Sequence, residues 1–170
     1  MRSFLFPGLT ARAQRGQALF DLAVGEARQP HWYREADVAD TIDGRFAMLA
    51  TVTALLIVRL ERGGEAGAAA SAALTERFIE AMDAEHRQLG MNDPGLGRKV
   101  RKLLASLGRR VGSWRAATAG GRDWSETTRS SVYRDGAAEP EAVERAGALL
   151  RGYWARLENV SDRQLLDGDL

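Results

Sequence analysis

The sequence predicts an all-α protein of one domain, a bundle of about six helices around a central apolar helix. Three observations lead to this fold class. Apolar residues recur at three- and four-residue spacing in most segments, whereas alternating strand patterns are nearly absent. The length of 170 residues suits one domain with its own core. The composition, 45% hydrophobic and 28% charged with a net charge of +1, is typical of a globular chain and not of a disordered or fibrous one.

The first helix is predicted from about residue 11 to residue 27. Thr10 is its expected N-cap, because a threonine hydroxyl accepts a hydrogen bond from first-turn amides. Residues 1–10 are expected to form a flexible N-terminus. The following segment, 28–39, contains Pro30 and two adjacent aromatic residues, which favours a packed connection over a helix interior.

The central helix is predicted over residues 42–62, which include the longest uncharged run of the chain. Apolar residues, Ile42 among them, occupy nearly all of its faces, so this helix should be buried at the centre of the bundle. Asp40 is its expected N-cap. Asp43 falls in the first turn, where a carboxylate meets the positive end of the helix. The glycines at 63–64 are the expected stop.

Capping explains the acids of "DTIDGRF" but not the two residues that follow them. Gly44 is unfavourable in the first turn of a helix, so its presence predicts close approach of the backbone of another element. Arg45 is expected to bond a carboxylate such as Asp83 or Asp93.

Four further segments show helical patterns. An alanine-rich helix is predicted over about 65–89, and the most regular amphipathic stripe lies on a helix over 97–118. A capping-box pattern starts a short helix over about 123–133, and the last substantial helix lies within 136–159. Residues 161–170 are expected to be a frayed acidic end with a final helical turn at its start.

The strongest electrostatic feature is a segment of eight basic residues without any acid, between Pro94 and Arg122. These residues lie opposite the apolar stripe and predict a basic helix face that could attract a phosphate backbone, anionic lipid or an acidic protein. A solvated cationic surface without a partner is the open alternative. The eight residues are Arg98, Lys99, Arg101, Lys102, Arg109, Arg110, Arg115 and Arg122.

The sequence contains no complete constellation for catalysis or for a cofactor. There is no cysteine, which excludes disulfides, thiolate nucleophiles and zinc sites built on cysteine. Asp83 and His86 share a helix face, but the rest of a metal ligand set is missing. "GLGRK" at 95–99 lacks the strand, spacing and Lys-Ser/Thr ending of a phosphate-binding loop. We therefore predict a binding protein without catalytic residues, metal or cofactor.

Several separate motifs resemble, in order and spacing, the ubiquinol-cytochrome c chaperone family. They are "ARQPHWY" at 27–33, "DTIDGRFAML" at 40–49, "VRL" at 58–60, "FIEAMDAEHRQLGMNDPGLGRKV" at 78–100 and "LGRRVGSW" at 107–114. The resemblance covers about residues 20–118 and not the last fifty. The family comprises the mitochondrial assembly factor for cytochrome b of respiratory complex III and its alphaproteobacterial relatives. The alanine- and arginine-rich composition favours a bacterial member.

The resemblance implies a helical chaperone domain, over 11–160, without enzymatic activity. Its implied client is newly made cytochrome b, with a small partner subunit, the ribosome and the anionic inner-membrane surface as further partners. The implied location is the cytoplasm, at the periphery of the inner membrane, or the matrix side in a mitochondrion. The alternative function is a ribosome- or nucleic-acid-binding module that uses the basic face of helix 97–118.

The resemblance also identifies residues by position. The family-like residues are Pro30, Tyr33, Asp40, Thr41, Gly44, Arg45, Phe46, Arg59, Leu60, Asp83, Arg87, Gly90, Asp93, Lys99, Gly108 and Arg109. Together with the basic face they give the candidate partner-binding residues, which are Tyr33, Asp40, Arg45, Asp83, Arg87, Asp93, Arg98, Lys99, Arg101, Lys102, Arg109 and Arg110.

Overall fold

A computed structural model describes residues 7–88, 96–133 and 138–170 of the chain. Within these residues the secondary structure is helical, and no strand occurs. The helices are α1 (Pro7–Ala27), α2 (Pro30–Arg34), α3 (Ile42–Leu60), α4 (Gly64–Gln88), α5 (Leu96–Thr118), α6 (Trp124–Val132), α7 (Pro140–Asn159) and α8 (Asp162–Asp167), with a 3-10 turn at Glu61–Gly63. Six of these helices are long and two are short. The predicted all-α bundle is confirmed.

Helix α3 lies at the centre of the bundle. Every residue from 50 to 60 is buried, and the helix packs against α1, α4, α5, α6 and α7. A helix that is apolar on nearly every face gains most when neighbours cover it on all sides. The helix ends at Leu60 and continues as the 3-10 turn, at whose end Gly64 takes a positive φ of 64°. The glycine stop is therefore in place, although the α-helix itself ends at Leu60, two residues before the predicted end at 62.

Two predicted N-caps need correction. Helix α1 begins at Pro7, so Thr10 lies inside the helix and not at its cap, and residues 7–10 belong to α1 and not to a flexible terminus. Proline is favoured at the first helical position because it has no N–H to satisfy there. At α3 the cap is Thr41 in place of Asp40, since the Thr41 hydroxyl accepts from the Gly44 amide at 3.2 Å.

The C-terminal helices α6 and α8 begin where the sequence predicts them. Asp123 caps α6 as expected, with its Oδ1 accepting from the Glu126 amide at 2.7 Å. The final helical turn that the sequence predicts at the start of 161–170 is confirmed and forms α8. Ser161 and Gln164 form a capping box at its start, and Leu165 is fully buried. Helix α8 packs against α1 and α4, and this tertiary contact holds a helix too short to be stable alone.

Candidate partner-binding surfaces

Two of the predicted partner-binding residues, Asp40 and Arg45, meet at the start of α3. The Nε of Arg45 donates to Oδ1 of Asp40 at 2.6 Å, and both side chains are exposed. This hydrogen bond lowers the pKa of Asp40 and raises the pKa of Arg45. Arg45 thus has a carboxylate partner, although the sequence predicted Asp83 or Asp93, of which Asp93 lies outside the described residues. We call residues 40–45 the α3 corner.

Gly44 explains how the chain turns into this corner. A Cβ atom at Gly44 would lie 1.9 Å from the carbonyl oxygen of Ala39. The predicted close backbone approach is therefore confirmed, and the approaching element is the loop that leads into α3. No side chain larger than hydrogen fits between that loop and the first turn without displacing the backbone.

Ile42 was expected on the core side of the central helix, and this expectation is wrong, because its exposed fraction is 67%. Burial in α3 begins about one turn later. There Phe46 faces Phe78 of α4 with ring centroids 6.1 Å apart, and the next residue, Ala47, is buried. The periodicity places Ile42 on the apolar side of the helix, but the neighbouring helices do not extend far enough to cover it.

The loop that leads into the α3 corner is held by side chains from the C-terminal part of the chain. Arg145 of α7 donates to the carbonyl oxygen of Glu35 and pairs with Asp37. The hydroxyl of Tyr133 lies 2.5 Å from the carbonyl oxygen of Ala36. These contacts join the loop to the C-terminal helices, so the corner presents its exposed side chains from a fixed backbone.

The Tyr133 contact predicts a loss of stability at alkaline pH. Burial raises the pKa of Tyr133 from 10.0 to about 12, with the nearby Asp37 as a second cause. Because the folded pKa lies above the unfolded one, this stabilisation is complete below pH 10 and is lost as the pH rises towards 12. We expect Tyr133→Phe to be about 1 kcal/mol less stable than wild type at neutral pH, where it lacks the hydroxyl contacts.

Denaturant unfolding followed by circular dichroism across this pH range tests the Tyr133 prediction. The variant should lose less stability than wild type as the pH rises. A residual decline is expected in both proteins, because burial also raises the pKa of Tyr33 and of Tyr153. Parallel curves for variant and wild type would contradict the assignment.

Four other candidate residues remain predictions. The hydroxyl of Tyr33 donates to the carbonyl oxygen of Ala27 at 2.8 Å, so this polar group has a role within the fold, and the side chain is half-buried. Asp83 is half-buried on α4. For Arg87 and Lys99 only the helical backbone is described.

The basic residues of α5 and of the loop that follows it, Lys99 apart, separate into two sets. The first set is exposed, lies on one side of the helix, and makes no ion pair or side-chain hydrogen bond within the described part of the chain. Its positions follow the first by three, four and eleven residues, which is the spacing of a single helix face. We call this set the α5 cationic face; it consists of Arg98, Arg101, Lys102 and Arg109.

The second set makes contacts within the fold. Arg110 donates to the carbonyl oxygen of Ser131 at 3.0 Å, and burial lowers its pKa. Arg115 forms two hydrogen bonds with Glu61, and Arg122 pairs with Glu126. Arg110 is thus not part of the exposed face that the sequence predicted, but joins α5 to α6.

The sequence contained a signal for the burial of Arg110. It lies three residues after Leu107 and four before Trp114, both of which are buried, so it borders the apolar stripe. A cation at such a position can be buried only where oxygen acceptors meet it. Ser106, one turn earlier, supplies one, with its Oγ accepting from Arg110 at 2.7 Å.

Among the described residues, no group of three His, Asp or Glu is placed so that it could hold a metal ion. None of the described helices combines the length and the hydrophobicity needed to span a bilayer.

Comparison with known families assigns the chain. The sequence model of the ubiquinol-cytochrome C chaperone family matches residues 34–170. The chain belongs to this family. The ubiquinol-cytochrome C chaperone match gives it a chaperone role in the assembly of respiratory complex III. It also corrects the extent of the resemblance, because residues 119–170 are included, whereas the "ARQPHWY" motif lies before its start.

A solved structure supports the same assignment. The chain is similar to a protein described as the Cbp3 homolog from Brucella abortus, whose crystal structure superposes with a TM-score of 0.79 at 25% sequence identity. The superposition covers 95% of this chain and 90% of that chain. A comparison with curated proteins gives no match. Both the α3 corner and the α5 cationic face lie within the residues that the family model matches.

Proposed function

We propose that this chaperone binds newly made cytochrome b and shields an apolar segment of it until haem and partner subunits arrive. The family match over residues 34–170 supports this proposal most strongly. The proposed action is binding without turnover, and the exposed apolar and charged side chains of the described residues suit such binding. The cytoplasmic side of the inner membrane is the proposed place of action.

The α3 corner is the surface that we propose for the client. Ile42 offers an apolar side chain, and the neighbouring Asp40 and Arg45 offer an acceptor and a donor, respectively. An exposed ion pair contributes little to stability, so its members can be rearranged by a client at small cost. The fixed loop beneath the corner limits the entropy that is lost when the client binds.

Deletion of the gene and recovery of the client test the proposed function. Loss of the protein should lower the amount of assembled complex III and leave other respiratory complexes unchanged. The tagged full chain, purified from gently solubilised native membranes, should carry cytochrome b, as measured by mass spectrometry. Unchanged complex III after deletion would contradict the proposal, and recovery of ribosomal proteins alone would favour the alternative function.

A pair of variants tests the proposed client surface. Ile42→Glu should reduce the recovery of cytochrome b by about tenfold, the scale of losing one central apolar anchor. The fold should tolerate this change, because a carboxylate is favourable in the first turn of a helix. The matched control is Leu170→Glu, which places the same charge at another exposed apolar residue. Equal recovery with both variants would exclude Ile42 from the client surface.

A further inference from the structure

The α5 cationic face has no counter-charge on its own helix. Helix α5 contains no acidic residue over its whole length, and the face comprises the exposed residues Arg98, Arg101, Lys102 and Arg109. At 1.5 Å per residue the positions span about 17 Å along the helix. The net charge of the whole chain is only +1, so these cations are concentrated locally and do not reflect a generally basic protein.

Two acids of neighbouring elements pair with basic residues that lie outside the face. Glu61 accepts two hydrogen bonds from Arg115, and Glu126 pairs with Arg122. Arg115 and Arg122 are thereby neutralised within the fold. The four cations of the face have no such partner within the described part of the chain, so we take them as available to an external anion, and the attraction of such a set for an anionic surface is additive.

The shape of the face suits a flat partner. Ala105, Gly108 and Gly112 lie on the same exposed side, and a Cβ atom at either glycine would meet nothing within 4 Å. The long side chains of the cations therefore extend beyond the helix surface, with no bulky residue between them. At the edge of the face Leu104 is 43% exposed, which adds an apolar contact.

We propose that the α5 cationic face docks the protein on a membrane surface by binding anionic phospholipid headgroups. The apolar stripe of α5 is buried in the bundle, so the exposed side of the helix offers clustered cations, which are the pattern that attracts anionic lipid headgroups. Single-stranded RNA fits less well, because the one aromatic residue of α5, Trp114, is fully buried and cannot stack on a base. The biological setting, a client in the membrane, rests on the proposed function; the docking itself does not.

Vesicle binding of the purified full chain tests the docking. The probes are vesicles of phosphatidylcholine alone and vesicles that also contain phosphatidylglycerol. We expect sedimentation with the anionic vesicles only, and weaker binding as added salt screens the charges. Arg101→Glu combined with Lys102→Glu should weaken binding by at least roughly 30-fold, since each cation near an anionic surface contributes a factor of roughly five. Circular dichroism confirms that the variant folds.

The matched control changes the net charge equally at another place. Arg28→Glu combined with Arg34→Glu alters two exposed cations outside α5. If only α5 faces the bilayer, these two charges lie beyond the screening length of roughly 8 Å, and vesicle binding should stay within about twofold of wild type. An equal loss in both double variants would overturn the proposal, because binding would then follow net charge and not this face. Absence of binding to anionic vesicles would overturn it too, and binding to an RNA duplex in its place would assign the face to nucleic acid.

The experiments distinguish a failure of the docking proposal from a failure of the proposed function. The vesicle assay contains no cytochrome b, so its outcome does not depend on the client. If vesicle binding is lost as expected in the α5 double variant while cytochrome b is still recovered by the chaperone, the two surfaces act independently. If the deletion leaves complex III unchanged but vesicle binding holds, the docking stands and the client assignment is wrong.

Discussion

Replacing Gly44 by alanine should lower the free energy of unfolding by about 3 kcal/mol. Alanine normally stabilises a helix relative to glycine by about 1 kcal/mol, so the expected sign is the reverse of the usual one. The reason is steric, because the added Cβ would lie 1.9 Å from the Ala39 carbonyl oxygen. The loop or the first turn of α3 must move, and the bond between the Gly44 amide and Thr41 would be disturbed with it.

Thermal unfolding followed by circular dichroism measures this effect. A loss of this size corresponds to a decrease in Tm of roughly 6–12 °C for a chain of this length. The matched control is Gly108→Ala on α5, where the new Cβ would meet nothing within 4 Å. That variant should be unchanged or stabilised by up to about 1 kcal/mol. If Gly44→Ala is as stable as Gly108→Ala, the close approach at the α3 corner does not exist in solution.

The fold class and the central helix could be predicted because they depend on local pattern. The uncharged run of α3 has no polar face that water could solvate, so burial on all sides follows from the sequence alone. Helix boundaries marked by Asp123 or by the glycines at 63–64 were also visible, since caps and stops depend on a few neighbouring residues.

The exposure of particular side chains could not be predicted, because it depends on where neighbouring elements end. Ile42 belongs to the apolar pattern of α3 but lies beyond the reach of the helices that cover Ala47. Arg110 belongs to the basic pattern of α5 but lies next to Ser131 of α6, which provides an acceptor for it. At both positions the helical periodicity did not determine whether the side chain is buried. That depends on whether a neighbouring element provides a contact.

The C-terminal third of the chain shows the same dependence. Its sequence gave no motif that resembled the family, yet α6, α7 and α8 pack on the central part of the fold, and the family model includes them. Packing constrains apolar character and size more than residue identity, so homology in such helices is spread over many positions and not concentrated in motifs. Contacts between α3 and the C-terminal helices should therefore matter for the stability of the whole domain.

The contact with the largest expected effect is that of Arg59, a family-like residue near the end of α3. Its exposed fraction is only 8%. The guanidinium donates to the carbonyl oxygens of Leu157 and Val160, each at 2.9 Å, and pairs with Asp162 at 2.7 Å. Arg59 thus provides hydrogen-bond donors for the carbonyl groups at the end of α7 and an ion pair at the start of α8. Replacing it by methionine leaves these carbonyl groups without their donor, at a cost of about 3 kcal/mol.

Denaturant unfolding of three variants isolates the role of Arg59. Arg59→Met should lose the full amount, whereas Arg59→Lys, which keeps the charge but lacks the planar fork, should lose about half of it. The matched control is Arg62→Met, which removes an exposed ion pair with Glu158 and a contact with Trp154 and should cost at most about 1 kcal/mol. Equal losses for Arg59→Met and Arg62→Met would mean that the buried contacts between α3 and the α7–α8 turn contribute no more than a surface pair. The expected order, with Arg59→Met lowest and Arg62→Met highest, would show that this arginine joins the C-terminal helices to the central one.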